Sequence, residues 1–258
     1  MSRTGWGDHH WQLIHASAQS PTLHMALDDV LTHEVGIGRR KPTLRIWEWA
    51  SPAVVIGRFQ SLRNEVDMDA ARRHGIAVVR RVSGGGAMFI EPGNTITYSI
   101  YAPLSLIKGL SFGEAYAYMD QWVLTALGEL GIKAWYQPLN DITSAGGKIA
   151  GAAQVHRGGA VLHHVTMAYD IDAAKMVDVL RIGREKLSDK GTLSAAKRVD
   201  PLRSQTGLSR QAVIEHMIAT FRRLHGLADD NVHADELAQA QASAQTKFAS
   251  KEWTADVP

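Results

Sequence analysis

Apolar residues recur along this chain with two rhythms. Between Ser20 and Val35 they follow helical spacing, at Leu23, Leu27, Val30 and Leu31, behind a Ser-Pro start and ahead of Gly36, which predicts a helix. Thr43 to Trp49, Ala53 to Ile56, Gly75 to Arg80 and Thr95 to Tyr101 are instead β-branched or aromatic with a period of two, and they predict strands. Ser111 and Glu114 form a capping box ahead of Phe112, Tyr116, Met119, Val123, Leu127 and Leu130, a helical stripe that stops at Gly131. Further helices are expected at Ala173 to Leu180, Arg210 to Leu224 and Asp235 to Ala249. Clustered strands interrupted by helices without strict alternation imply an α+β fold with a mixed sheet. No repeat or long linker divides the sequence, so one domain over residues 1–258 is expected, with a helical tail from about residue 228.

Composition narrows the chemistry. The 258 residues carry 28 Lys+Arg against 26 Asp+Glu, with 45% hydrophobic residues, as in an ordinary globular protein. A chain of this length buries roughly 70–75% of its unfolded surface and needs no covalent staples. There is no cysteine, which excludes disulfides, thiolate metal sites and cysteine nucleophiles. The net charge of +2 is scattered and leaves no nucleic-acid footprint. The N-terminus lacks the apolar core of a signal peptide, and no run reaches membrane-spanning length, so a cytoplasmic protein without membrane association is expected.

Three clusters carry candidate chemistry. In Arg80-Arg81-Val82-Ser83-Gly84-Gly85-Gly86, consecutive glycines after a strand let backbone N–H groups approach an anion, with two guanidinium groups and a hydroxyl beside them. The bland alternative is a flexible turn with surface arginines. The second cluster runs from Asn140-Asp141 to Gly147-Lys148-Ile149-Ala150-Gly151-Ala152-Ala153-Gln154. There Asp141 could hold Mg²⁺, and Lys148 is either a solvated hairpin charge or a point cation delivered to a site. The third is His163-His164 on an apparent strand, where alternation turns one ring inward and the ordinary reading is a hydrogen-bonded core histidine.

In this order, and with Gly93-Asn94 between the first two, the clusters resemble the lipoate-protein ligases of the biotin/lipoate ligase and octanoyltransferase superfamily. The fragments His24-Met-Ala-Leu-Asp28, Val55-Ile-Gly-Arg-Phe-Gln60, Lys197-Arg-Val199 and Lys247 to Trp253 extend the likeness over residues 20–255. The resemblance implies a mixed sheet flanked by helices, and an enzyme that activates lipoate with ATP and Mg²⁺ to lipoyl-AMP and passes the lipoyl group to a lysine. The acceptor would be a lipoyl-domain protein: a 2-oxoacid dehydrogenase E2, a glycine-cleavage H protein or a similar lipoate-binding protein. Lys148 matches the family's essential lysine and would be catalytic. Arg80, Arg81, Ser83, Gly84, Gly85, Gly86, Asn94, Asn140, Asp141, Gly151, Ala152, His163 and His164 would bind substrate or nucleotide, with Asp141 also reaching Mg²⁺ through the nucleotide.

Three departures stand out. Ile90-Glu91 replaces the family's His-Asp, Val165 replaces a glycine, and the small C-terminal accessory domain of single-chain bacterial ligases is missing from this sequence. The alternatives are therefore a lipoyl-AMP-dependent transferase served by a separate small accessory subunit, and a non-catalytic lipoate-binding module. An octanoyltransferase working through a thioester lacks its cysteine here.

Overall fold

A computed structural model describes residues 3–181 and 199–258. Lys197 and Arg198 of the resemblance lie outside these residues. The strands are β1 (Gln12–His15), β2 (Thr43–Trp47), β3 (Ala53–Ile56), β4 (Ala77–Arg80), β5 (Met88–Ile90), β6 (Thr95–Pro103), β7 (Trp135–Gln137), β8 (Asp141–Ser144), β9 (Gly147–Arg157), β10 (Ala160–Ala168) and β11 (Ala228–Asp230). The helices are α1 (Pro21–Gly36), α2 (Leu62–Glu65), α3 (Met68–Arg73), α4 (Phe112–Glu129), α5 (Ala173–Val179), α6 (Leu202–Thr206), α7 (Arg210–His225), α8 (Ala234–Ser243) and α9 (Lys251–Thr254).

The expected α+β architecture is present. Eight strands form one mixed sheet in the order β11-β1-β2-β6-β10-β9-β8-β7, parallel from β11 to β2 and antiparallel beyond, and β4-β3-β5 form a second, smaller sheet. The helix starts follow the local chemistry: Ser20 accepts from the Leu23 amide behind Pro21, and Ser111 and Glu114 cap α4 reciprocally.

Both faces of the large sheet are covered. Leu44, Ile46, Tyr98 and Ile100 pack with Met119, Trp122 and Val123 of α4 and with Phe221 of α7. On the other face, Trp47, Tyr101 and Leu162 pack with Met25, Leu27 and Leu31 of α1, and with Val55 and Val79 of the small sheet. The segment after residue 228 begins as a strand rather than a helix. Its helix α8 then gives way to a π-helical turn, Ala244–Phe248, and Ala240, Ala244 and Phe248 join the core around α1. Among the described residues no helix is long and apolar enough to cross a membrane.

Candidate active site

Strand β9 ends one wall of a cleft between the two sheets. On its cleft-facing side Gly151 stands beside Thr166 and near Ala168 of β10, opposite Met88 and Phe89 of β5, with Met176 of α5 closing the apolar side. Lys148 enters from the start of β9, where its backbone carbonyl accepts from the Asp200 amide at 2.8 Å. Its ammonium lies 2.7 Å from Asp141 Oδ1, and the side chains are 45% and 31% exposed, so the pair is open to a ligand. A Cβ at Gly151 would come within 3.1 Å of the Lys148 Nζ and 3.3 Å of its Cε, so the glycine leaves room for the lysine to cross the strand. Solvated hairpin lysines have no such seat; this one is held at the rim of an apolar slot.

The glycine loop, residues 84–86, follows β4 and borders the same cleft. Far from being a turn with surface arginines, it is built on two buried guanidinium groups. Arg80 donates to the carbonyls of Gly57, Arg58 and Gln60, and to those of Trp253, Thr254 and Val257 at the C-terminal end. Its hydrogen-bonding capacity is spent on backbone, which removes it from the expected substrate contacts. Arg81 donates to Val55 O, Gly84 O and Gly86 O, and to Ser83 Oγ. Burial pulls its pKa down to about 10. It therefore shapes the loop from beneath rather than lining the channel.

Several other expected contacts lie elsewhere. His163 and His164 are both buried, because helices cover both faces of the sheet where a half-exposed sheet would bury only one. His163 accepts from Gln154 Nε2 at Nδ1 and donates to Asp120 Oδ1 of α4, each at 2.8 Å. His164 lies on the opposite face under the glycine loop, between Asp28 and Ser83. Neither ring lines the cleft; Thr166 and Ala168 do. Ser83 is fully buried. Asn140 is tied to Ala152 twice, receiving its amide at 2.8 Å and donating Nδ2 to its carbonyl, and Ala152 itself packs into the α4 core. Gly151, Asn94, Asp141 and Lys148 thus remain about the cleft, with the exposed edge of Gly85 and Gly86.

Two acidic groups were given no role by the sequence reading, Glu91 in the cleft and Asp28 beneath the glycine loop. Glu91, which replaces the family's acid, accepts from Asn94 Nδ2 at 3.1 Å and from Lys175 Nζ of α5 at 2.6 Å, tying the β5–β6 turn to α5. Asp28 lies on the buried face of α1, and its position four residues after His24 and three before Leu31 was the available signal. As for a cation, among the described residues no group of three or more His, Asp or Glu is placed to hold a metal. Asp141 alone fits a Mg²⁺ that brings most of its ligands as phosphate oxygens and water, not a protein cage.

The model of the lipoyl protein ligase A/B catalytic domain matches residues 20–222. The octanoyltransferase LipM of Symbiobacterium thermophilum is 32% identical over 194 residues, covering 67% of this chain and 70% of that protein. A probable lipoate-protein ligase A of Mycoplasma pneumoniae is 29% identical over 236 residues, covering 90% of this chain and 68% of the other. Among solved structures, a chain from an archaeal lipoylation system of Thermoplasma acidophilum, described as a bi-partite lipoate protein ligase and its E2 lipoyl domain, superposes with a TM-score of 0.84. It is 26% identical, over 97% of each chain.

Proposed function

This chain belongs to the lipoyl protein ligase A/B catalytic-domain family, and we propose that within it the protein is a lipoate-protein ligase acting through lipoyl-AMP. The observation that carries the choice is the Lys148–Asp141 pair at the rim of an apolar cleft in a chain with no cysteine. A thioester-forming transferase needs a thiol to hold the acyl group, whereas an acyl-adenylate needs only a cation beside its two polar centres.

In the activation step the lipoate carboxylate attacks the α-phosphorus of ATP, forming lipoyl-AMP and releasing pyrophosphate. In the transfer step the neutral amine of an acceptor lysine attacks the acyl carbon, AMP leaves, and the amine's proton passes to solvent. Lys148 serves both by placing its ammonium between the acyl carbonyl and the phosphate, where negative charge grows as each bond forms. Its release from Asp141 frees a carboxylate oxygen, which suits that residue to Mg²⁺ arriving on the nucleotide. That ion would neutralise phosphate charge. Met88, Phe89, Ile149 and Met176 supply the apolar wall that an aliphatic acyl tail requires. The acceptor is a lipoyl-domain protein, consistent with the E2 lipoyl domain of the archaeal system.

The likeness to a bi-partite ligase favours one second reading, in which activation depends on a separate accessory part and this chain performs the transfer. The deciding experiment reads the mass of an acceptor lipoyl domain after incubation with the protein and lipoate plus ATP and Mg²⁺, preformed lipoyl-AMP, or an octanoyl thioester of acyl carrier protein. Modification from the first two supports the ligase. Lipoyl-AMP alone supports the transferase, and modification only from the thioester rejects both.

A further inference from the structure

Beneath the glycine loop lies a chain of side chains with the connectivity of a nucleophile triad. His164 Nδ1 is 2.7 Å from Asp28 Oδ2, and His164 Nε2 is 2.6 Å from Ser83 Oγ. The proton positions follow from the partners. The Asp28 carboxylate can only accept, so the one proton of the neutral His164 ring sits on Nδ1, and Nε2 accepts from the hydroxyl of Ser83, whose oxygen also accepts from Arg81 Nε at 3.0 Å. Asp28 is fixed in turn by Tyr101 and Ser99, whose hydroxyls donate to Oδ1 at 2.5 and 3.0 Å, and by Arg45 at 3.3 Å.

Cross-strand register creates this arrangement. Arg45, Ser99, His164 and Ala153 are successive partners across β2, β6, β10 and β9, so they share one face of the sheet, and Ala153 ends the row against Gly85. Asp28 reaches the row from α1.

Ser83 is not a nucleophile in this fold: it has no exposed surface, and Asp28 and His164 are 1% and 3% exposed. The relay opens instead onto the loop. Arg81, held by Ser83, turns the carbonyls of Gly84 and Gly86 inward. Among the described residues no acceptor is engaged by the N–H groups of Gly84, Gly85 or Gly86; Gly85 and Gly86 are exposed and lead directly into Ala87, the first residue of the cleft lining. Gly85 takes a φ of +90° that lets the chain reverse over the guanidinium. An inward-turned set of carbonyls with free, outward amides is an anion-binding concavity, and Arg81 places a buried positive charge below it without a directly bonded carboxylate.

We infer that Asp28, His164 and Ser83 are positioning residues which, acting through Arg81, hold the glycine loop with its amides presented to the acyl-phosphate of the substrate. The inference rests on the adenylate reading of the cleft for the identity of that anion.

The test compares Ser83→Ala, Ser83→Thr and His164→Asn in the full chain, with Met119→Ala in the distant α4 core as a control for destabilisation. Ser83→Thr keeps the hydroxyl; His164→Asn keeps a partner for Asp28 and loses the one for Ser83. KM for lipoyl-AMP and kcat are measured in transfer to a lipoyl domain, pyrophosphate affinity by calorimetric titration, and melting midpoints alongside. Ser83→Ala and His164→Asn should raise KM at least tenfold, with Ser83→Thr within threefold of the parent and Met119→Ala changing only the melting midpoint. Unchanged KM in the first two, or Ser83→Thr as damaged as Ser83→Ala, overturns the relay. A parent protein with no turnover refutes the functional reading by itself, and the relay is then judged on pyrophosphate. A tenfold loss of affinity in Ser83→Ala that Ser83→Thr restores upholds it, while equal affinities, or no binding to the parent, reject it.

Discussion

Lys148 is held by two neighbours of different kinds, the carboxylate of Asp141 at 2.7 Å and the missing side chain at Gly151. Removing the charge with Lys148→Ala should lower acceptor modification by about 10²–10³, the usual cost of one preorganised electrostatic contact, with an unchanged circular-dichroism spectrum. Gly151→Val tests the position and keeps the charge. Its added carbons would push the ammonium from its seat, and misplacement by an ångström should cost roughly 10²-fold in kcat. Retained turnover in that variant would mean that the lysine works from another position. Lys148, Asp141 and the glycines stood out in the sequence as candidates by residue type, but a solvated hairpin charge remained an equal reading of Lys148, and its proposed role came from the family resemblance. Asp28 was not recognised, since it is one of three acids on α1, with Asp29 and Glu34, and its burial shows only when the partners it needs are known.

At the scale of elements, α1 and α4 were predictable because their caps and apolar stripes are local. Strand β9 was not. Its Gly-Lys-Ile-Ala-Gly-Ala-Ala composition has little strand preference, and pairing with β8 and β10 on either side imposes the conformation. The C-terminal end is another non-local element. Arg80 gathers carbonyls from residues 57–60 and 253–257, while Arg58 pairs with Asp256 and the Leu62 amide donates to Val257 O. Arg80→Ala leaves several buried carbonyls unpaired and should cost on the order of 3 kcal/mol. For a chain of this size the melting midpoint should fall by roughly 5–10 °C. Limited proteolysis should then cut first near residues 251–258, and a C-terminal end as resistant as in the parent would contradict the clamp.

Across the whole molecule, the buried histidines couple folding to pH. Burial holds His24 well below its ordinary value and lowers His164, although Asp28 opposes the shift at His164. The partly buried His9, His156 and His225 move in the same direction for the same reason. The unfolded chain therefore takes up protons below about pH 6.5 that the folded chain refuses, so stability is greatest above that pH and is lost as it falls toward the depressed folded values. Each of the two buried rings, His24 and His164, contributes up to ~1.4 kcal/mol per pH unit in that window, and the partly exposed rings contribute less because solvent screens them. Calorimetry at pH 7.5 and 5.5 should show a lower melting midpoint at the acid value. Equal midpoints would mean that these rings are protonated as easily in the folded chain as in the unfolded one.

The sequence by itself determined the α+β class, the chief helices, the absence of thiol chemistry and the clustering of glycines, lysine and acid, because caps, periodicity and residue type act over a few neighbours. The tertiary structure decided which polar residues meet the cleft. Ser83, His164, Arg80 and Arg81 share the loop's sequence or the family pattern with the cleft residues, yet each is turned inward to satisfy backbone and side-chain partners far away in the chain. Covering both faces of the sheet forced that outcome: a polar group removed from water must find a partner, and only the assembled layers supply one.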